Sequence, residues 1–477
     1  MTALWTSQDA AAATGGHNSG GAWQANGVSI DSRTVAAGDL FVALAGPKFD
    51  GHDFVAGALA RGSAAAVVAK QPAKVDAQAN LLLVADTQTA LEALGGAARA
   101  RARGRIIAIT GSVGKTGTKE ALKTVLAAQA RAFASSGSLN NHWGVPLSLS
   151  RMPADSDYGI FELGMNHPGE INALTRMVRP HVAVITTIEP AHLGFFPSVE
   201  AIADAKAEIF RGVERGGAAI LNRDNPHYAR LAKAAHDCGI ADVIGFGAHR
   251  EAAVRLIDCA LRDNDSTVSA KVMGEAIDYT IGIAGKHWIM NSLAVLAAVR
   301  AAGGDIRAAA MALAKLAPLS GRGERHRVAI AGGAFTLIDE SYNASPASMR
   351  AAFAVLGGTK PEAAGRRVAV LGDMLELGAE SQRLHAALAA PLIDCGADLV
   401  FTLGDEMRAL DKALPTAKRG GHASSIGDLA LLLGERLHAG DVVTVKGSHG
   451  SKLYELVANL LASPSAKSEP ATSKARA

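Results

Sequence analysis

The chain has 477 residues, 49% hydrophobic and 19% charged, with Lys+Arg 48 against Asp+Glu 45 and a net charge of +3. This length divides into roughly three cores, and the near-balance of charge excludes a broad electrostatic footprint for nucleic acid or an anionic membrane. Cys238, Cys259 and Cys395 are too scattered for a zinc motif or disulfide framework, and no apolar run reaches the about 18 residues of a membrane span.

The first residues lack a basic segment followed by a continuous apolar one, so a cytoplasmic protein is expected. An Ala-rich, aromatic-poor composition favours α/β units. Residues 1–103 read as a small α/β domain, with strands at Asp39–Leu44, Ala64–Ala69 and Leu81–Val84 and helices around Val55–Ala60 and Ala90–Arg101. Residues 104–318 read as a mainly parallel sheet domain. Its strands are Ile106–Ile109, Tyr158–Leu163, Val182–Thr187 and Ala218–Asn222, and a helix from His287 to about Ala302 closes it. Residues 319–462 suggest a doubly wound, Rossmann-like domain with strands Phe335–Asp339, Arg367–Leu371, Leu399–Leu403 and Val442–Lys446. Residues 463–477 have little to bury and read as a disordered tail.

Thr110-Gly111-Ser112-Val113-Gly114-Lys115-Thr116-Gly117 follows a strand and precedes a helix. Glycines let backbone N–H groups curl around phosphate oxygens, and the helix adds its positive end. Lys115 supplies a cation for the outer phosphates and Thr116 a hydroxyl for Mg²⁺, which points to ATP or GTP without fixing the reaction. The first glycine stands closer to the lysine than in the general phosphate loop.

Further blocks follow in order: DSRTVAAGDLFVAL with GPKFDGHDF, SLNNHWGVPLSL, FELGMNHPGEI, EPAHLGFFPSVEAIADAKAEIF, DESYNASPASM and LGDMLELG. From Asp31 to Leu460 this series resembles the Mur ligase family, and its last blocks resemble the branch that adds D-alanyl-D-alanine to a UDP-muramoyl tripeptide. The resemblance implies three domains, ATP and Mg²⁺ as cofactors, those two substrates as partners, and a monomer. It also implies a reaction in which ATP phosphorylates a carboxylate and an amine displaces the phosphate.

The resemblance also implies roles for particular residues. Glu162, at a strand end, and His192 would be metal ligands beside Thr116. Lys206 would become a carbamate, although the residue pattern alone reads as a solvated lysine on a helix with Ile202, Ala205 and Ile209 inward. Asn140 and Asn141 would lie near substrate and phosphates, with a plain turn as the competing reading. Asn291 would contact adenine; Trp288 stands where the family has another asparagine, either stacking or packing between domains. Arg322 would reach the γ-phosphate, and Asp339 and Glu340 would flank the ribose with Asn343 following. Ser32 and Arg33 would bind the uridine diphosphate, and Lys446-Gly447-Ser448 the peptide end. Lys115, Glu162, His192, Lys206 and Arg322 form the expected catalytic set. Two other readings stand beside this one: a superfamily ligase resembling folylpolyglutamate synthase, and a non-catalytic nucleotide-gated binding protein.

Overall fold

The computed structural model describes residues 3–191, 193–362 and 364–462. Among them the strands form three principal sheets, one in each third of the chain. The expected tail 463–477 and His192 lie outside the described residues.

The first sheet runs in the order His17–Ser19, Leu81–Leu83, Ala65–Val68, Asp39–Val42 and Gly27–Ser29, parallel except at the first pair. Its central strand Ala65–Val68 is fully buried, because helix Thr87–Arg101 covers one face through Leu91, Leu94 and Ala98 and Val55 and Ala58 cover the other. That helix is capped by Asp86, whose side chain accepts from the Thr89 N–H.

The middle sheet is the largest. From one edge its strands are Ala132–Ala134, Tyr158–Glu162, Arg105–Thr110, Val182–Ile185, Ala218–Asn222 and Asp242–Gly247, all parallel. Val254–Leu261 continues in parallel, and Ser266–Val272 and Glu275–Ile281 extend the sheet as antiparallel strands. Apolar side chains leave both faces: Ile107 and Ile109 join Leu122 and Leu293 on one side, and Ile106 and Ala108 join Phe161 and Ile202 on the other. Parallel strands covered on both faces place the ligand edge at their C-terminal ends. Thr110 and Glu162 terminate two neighbouring strands at that edge.

The third sheet has the order Glu324–Ile330, Gly333–Glu340, Val442–Lys446, Arg367–Gly372, Leu399–Leu403 and Arg419–Ala423. Only its first pair is antiparallel. Helix Pro346–Gly358 begins with a capping box in which Ser345 and Ser348 exchange side-chain and backbone bonds. The strand ends Glu340 and Lys446 face the edge of the middle sheet across a cleft. No helix among the described residues is long and apolar enough to cross a membrane.

Candidate active site

The loop between strand Arg105–Thr110 and helix Lys115–Ala127 forms the floor of the cleft. Gly111 and Gly114 adopt φ of 147° and 86°, a region where a side chain would be strained. Space is also restricted: a Cβ on Gly111 would lie 1.9 Å from Thr186 Oγ1. The loop is tied from the neighbouring strand, because Thr186 Oγ1 donates to the Val113 carbonyl at 2.6 Å and Ser112 Oγ accepts from the Glu189 N–H at 3.0 Å.

Lys115 Nζ donates to its own loop at the Gly111 carbonyl, 2.8 Å away. Desolvation pulls its ammonium below the ordinary lysine range, opposed by Glu162 and reinforced by the nearby Arg322 cation. Thr116 Oγ1 donates to Glu162 Oε2 at 2.9 Å, and Asn140 Nδ2 donates to Glu162 Oε1 at 2.8 Å. Glu162 is 2% exposed. Its two carboxylate oxygens stand at the cleft wall beside the Thr116 hydroxyl, an all-oxygen donor set suited to a hard cation.

The two asparagines separate in role. Asn140 bonds Glu162, whereas Asn141 Oδ1 accepts from the N–H groups of Trp143 and Gly144 at the start of helix Gly144–Ser150. The turn reading therefore describes Asn141. Sequence reading passed over Lys119, one helical turn beyond Lys115. Its buried ammonium donates to the carbonyls of Ser135 and Gly137, fixing the loop that carries Ser138 and Asn140.

Lys206 is 1% exposed, so the solvated-lysine reading fails. On helix Val199–Ala207, Lys206 lies one turn beyond buried Ile202 and Ala203 and faces inward with them. Desolvation holds its pKa well below the ordinary value, and the Lys115 charge adds to the effect. A neutral amine is the form that can add to carbon dioxide.

Helix Lys286–Ala301 forms another wall. Asn291 lines the cleft and its Oδ1 lies 2.9 Å from where a Cβ on Gly114 would stand. Trp288 is 7% exposed and packs on the central core, with its ring against Gly117. Its indole packs beneath the phosphate-loop helix, and its edge also lines the cleft between Gly117 and Asn291.

The third sheet supplies the far wall. Lys446 Nζ bonds Glu340 Oε2 at 3.3 Å and the Asn343 carbonyl at 2.9 Å. Burial lowers the Lys446 pKa while Glu340 raises it. Ser448 Oγ accepts from the Leu375 N–H, joining two loops of this wall, and Gly447 packs where a Cβ would meet Ser451 Oγ at 2.4 Å. Arg322 lines the cleft with its guanidinium 4.0 Å from the Tyr342 ring centre.

Asp339 departs from its expected place beside Glu340. It is 5% exposed, and its carboxylate accepts from the N–H groups of Gly321 and Ser341. It lines a smaller cavity with Glu324 and His326 rather than the main cleft. Alternation along strand Gly333–Glu340 explains this, since successive side chains point to opposite faces. Its effect on the main site passes through the Gly321–Arg322 turn that it holds.

Ser32 and Arg33 lie in the first unit, away from the main cleft lining. Arg33 is exposed and forms a forked pair with Asp31 at 2.7 Å. The cleft itself has a volume of about 640 Å³ and brings together Ser112 through Gly117, Asn140, Glu162, Asn291, Arg322, Glu340, Asn343, Lys446 and Ser448. Thr186, Glu189, His287 and Tyr342 also line it and were not singled out from sequence. Tyr342 lies between two named acidic residues and Asn343, and its neighbourhood was the available signal.

The family descriptions Mur ligase family, catalytic domain; Mur ligase middle domain; and Mur ligase, glutamate ligase domain match residues 24–102, 109–299 and 321–449. A UDP-N-acetylmuramoyl-tripeptide--D-alanyl-D-alanine ligase of Rickettsia prowazekii is 35% identical over 432 residues, covering 91% of this chain and 94% of that protein. The crystal structure of MurF from Acinetobacter baumannii superposes with a TM-score of 0.83 at 31% identity, covering 96% of this chain and 98% of the other. MurF ligase from Thermotoga maritima in complex with ADP gives a TM-score of 0.74 at 27% identity, covering 91% and 96%. The chain belongs to the Mur ligase family.

Proposed function

We propose that this chain uses ATP to join the amine of D-alanyl-D-alanine to the terminal carboxylate of a UDP-N-acetylmuramoyl tripeptide. The carrying observation is one cleft in which Lys115, Glu162 and Arg322, from three separate segments, converge on a glycine-rich phosphate loop. Relatives that bear this activity by name align along nine-tenths of the chain.

In this reading a carboxylate oxygen attacks the γ-phosphorus of ATP and ADP leaves. The amine then attacks the acyl carbon, phosphate departs with the carboxylate oxygen, and the new amide loses a proton. Lys115 and Arg322 hold the negative oxygens of the transferring group, and backbone N–H groups from Ser112 to Thr116 cradle the phosphates. The wall carrying Arg322, Lys446 and Ser448 keeps water from the activated carboxyl. Thr116 and Glu162, with Lys206 as its carbamate and His192, would hold Mg²⁺, which would neutralise phosphate charge. Asn291 faces the base, Glu340 the ribose, and Ser32 and Arg33 the uridine diphosphate. We assign residues 1–103, 104–318 and 319–462 to the three domains, and place the protein as a cytoplasmic monomer.

Phosphate release with a substrate panel tests the reading. Release requiring both a UDP-muramoyl tripeptide and D-alanyl-D-alanine supports it. Release with a folate and glutamate, or nucleotide binding with no turnover on any pair, overturns it.

A further inference from the structure

Among the described residues, three polar contacts at the cleft join the middle and third units. The Gly194 N–H donates to the Glu376 carbonyl at 2.9 Å, Arg350 lies 3.6 Å from Glu189, and the Tyr342 hydroxyl is hydrogen-bonded to Ser138 Oγ. The Tyr342 contact differs because its other partner is a cation that lines the site: the Arg322 guanidinium lies over the ring. His449 packs beside the same ring, with centroids 5.8 Å apart, and stacks on Tyr454 at 5.0 Å. The phenol is therefore supported by the third unit, tied at its tip to the middle unit, and in contact on its face with Arg322.

The Ser138 end is equally constrained. Ser138 sits on the loop whose Gly137 carbonyl is held by buried Lys119 and whose Asn140 bonds Glu162. Movement of the third unit away from the middle unit breaks the Ser138 bond and carries the Arg322 platform away from Lys115. A hydroxyl-to-hydroxyl bond is modest in energy but directional, and a ring under a guanidinium fixes its plane.

We infer that Tyr342 is a positioning residue that couples closure of the third unit, through Ser138, to placement of Arg322 at the phosphate end of the cleft. The inference rests on the proposed ligase reading for its kinetic consequence, although the latch itself can be observed without turnover. Tyr342→Phe keeps the ring under Arg322 and removes the latch. Ser138→Ala removes the same latch from the other side, and Tyr342→Leu removes the stacking as well.

The test is a double-mutant cycle on the full chain, with kcat, KM for ATP and thermal midpoint measured for each variant. Tyr342→Phe and Ser138→Ala should each lower kcat by about tenfold with KM for ATP changed less than about twofold, and the double variant should fall no further. Tyr342→Leu should fall below Tyr342→Phe. Hydrogen exchange with magnesium and a non-hydrolysable ATP analogue supplies the second readout: residues 320–345 should gain protection in the unsubstituted chain and lose that gain in either single variant. Multiplicative single effects, an unchanged Tyr342→Phe enzyme, or losses that track a lowered thermal midpoint would overturn the latch. If the unsubstituted chain gains protection but makes no amide, the ligase reading fails and the latch stands; if it makes amide but shows no protection difference between variants, the latch fails alone.

Discussion

The Thr116 hydroxyl donates to Glu162 at 2.9 Å, joining the first turn of the phosphate-loop helix to the end of the adjacent strand. The same carboxylate accepts from Asn140, so three segments meet on one acidic group. Glu162→Gln retains the shape and removes the charge. The expected outcome is a loss in kcat on the order of 10²-fold or more, with a rise in the magnesium concentration needed for half-maximal rate. Titration of the ligation rate with Mg²⁺ checks both, and an unchanged magnesium dependence would remove Glu162 from the metal site.

Lys206 is buried, desolvation disfavours its ammonium, and the Lys115 charge adds repulsion against a proton. Addition of that amine to CO₂ gives an anionic carbamate and releases a proton, so acidification favours the free amine. Chain equilibrated with ¹³C-labelled bicarbonate should show one carbamate carbonyl by NMR, absent in Lys206→Met and lost on acidification in CO₂-free buffer. Activity should follow the signal. A full rate without any label would show that the amine itself serves.

Much of this site was legible from residue order alone. The phosphate loop lies between a buried strand and a helix, and Glu162 ends a strand whose four preceding residues are apolar, aromatic or glycine. Burial of Lys206 was read past: it stands four residues after Ile202 and three before Ile209, on the buried helix face, but a long cationic side chain there is ordinarily expected to reach solvent. Strands Val254–Leu261 and Glu324–Ile330 were missed for a different reason. The first exposes most of its length, the second is largely half-buried, and both carry polar residues among the apolar ones, so neither forms the continuous apolar run that marks a strand buried on both faces. The departure of Asp339 from Glu340 follows from the two-residue period of one strand, which the run of two acids concealed.

Trp288 tests how far a family position transfers to this chain. Its indole packs on the middle core and against Gly117. Trp288→Asn should destabilise the chain by about 3 kcal/mol or more, since a large buried ring is replaced by a small polar group. Denaturant unfolding measures the loss. Nucleotide affinity should not improve; a stable variant that binds ATP more tightly would contradict the packing role.

Asp441 offers a stability test distant from the chemistry. Burial pushes its carboxyl up, but hydrogen bonds from the Arg366 side chain and the His438 and Arg366 N–H groups outweigh this and hold it below the ordinary carboxylate range. A folded pKa below the unfolded one means stability is present above the ordinary value and disappears as pH falls through the depressed one. Asp441→Asn should cost about 3 kcal/mol near neutral pH. The gap from the parent chain should narrow as pH drops through the acid range, and a gap independent of pH would show that the charge is not responsible.

Transfer of a phosphoryl group to a carboxylate is the central claim, and oxygen tracing tests it most directly. The tripeptide substrate would carry ¹⁸O in its terminal carboxylate, and the released phosphate would be read by ³¹P NMR during turnover with ATP and D-alanyl-D-alanine. The account predicts one labelled oxygen in each phosphate formed and ADP as the other nucleotide product. Phosphate free of label, or label emerging in AMP with release of pyrophosphate, would contradict it.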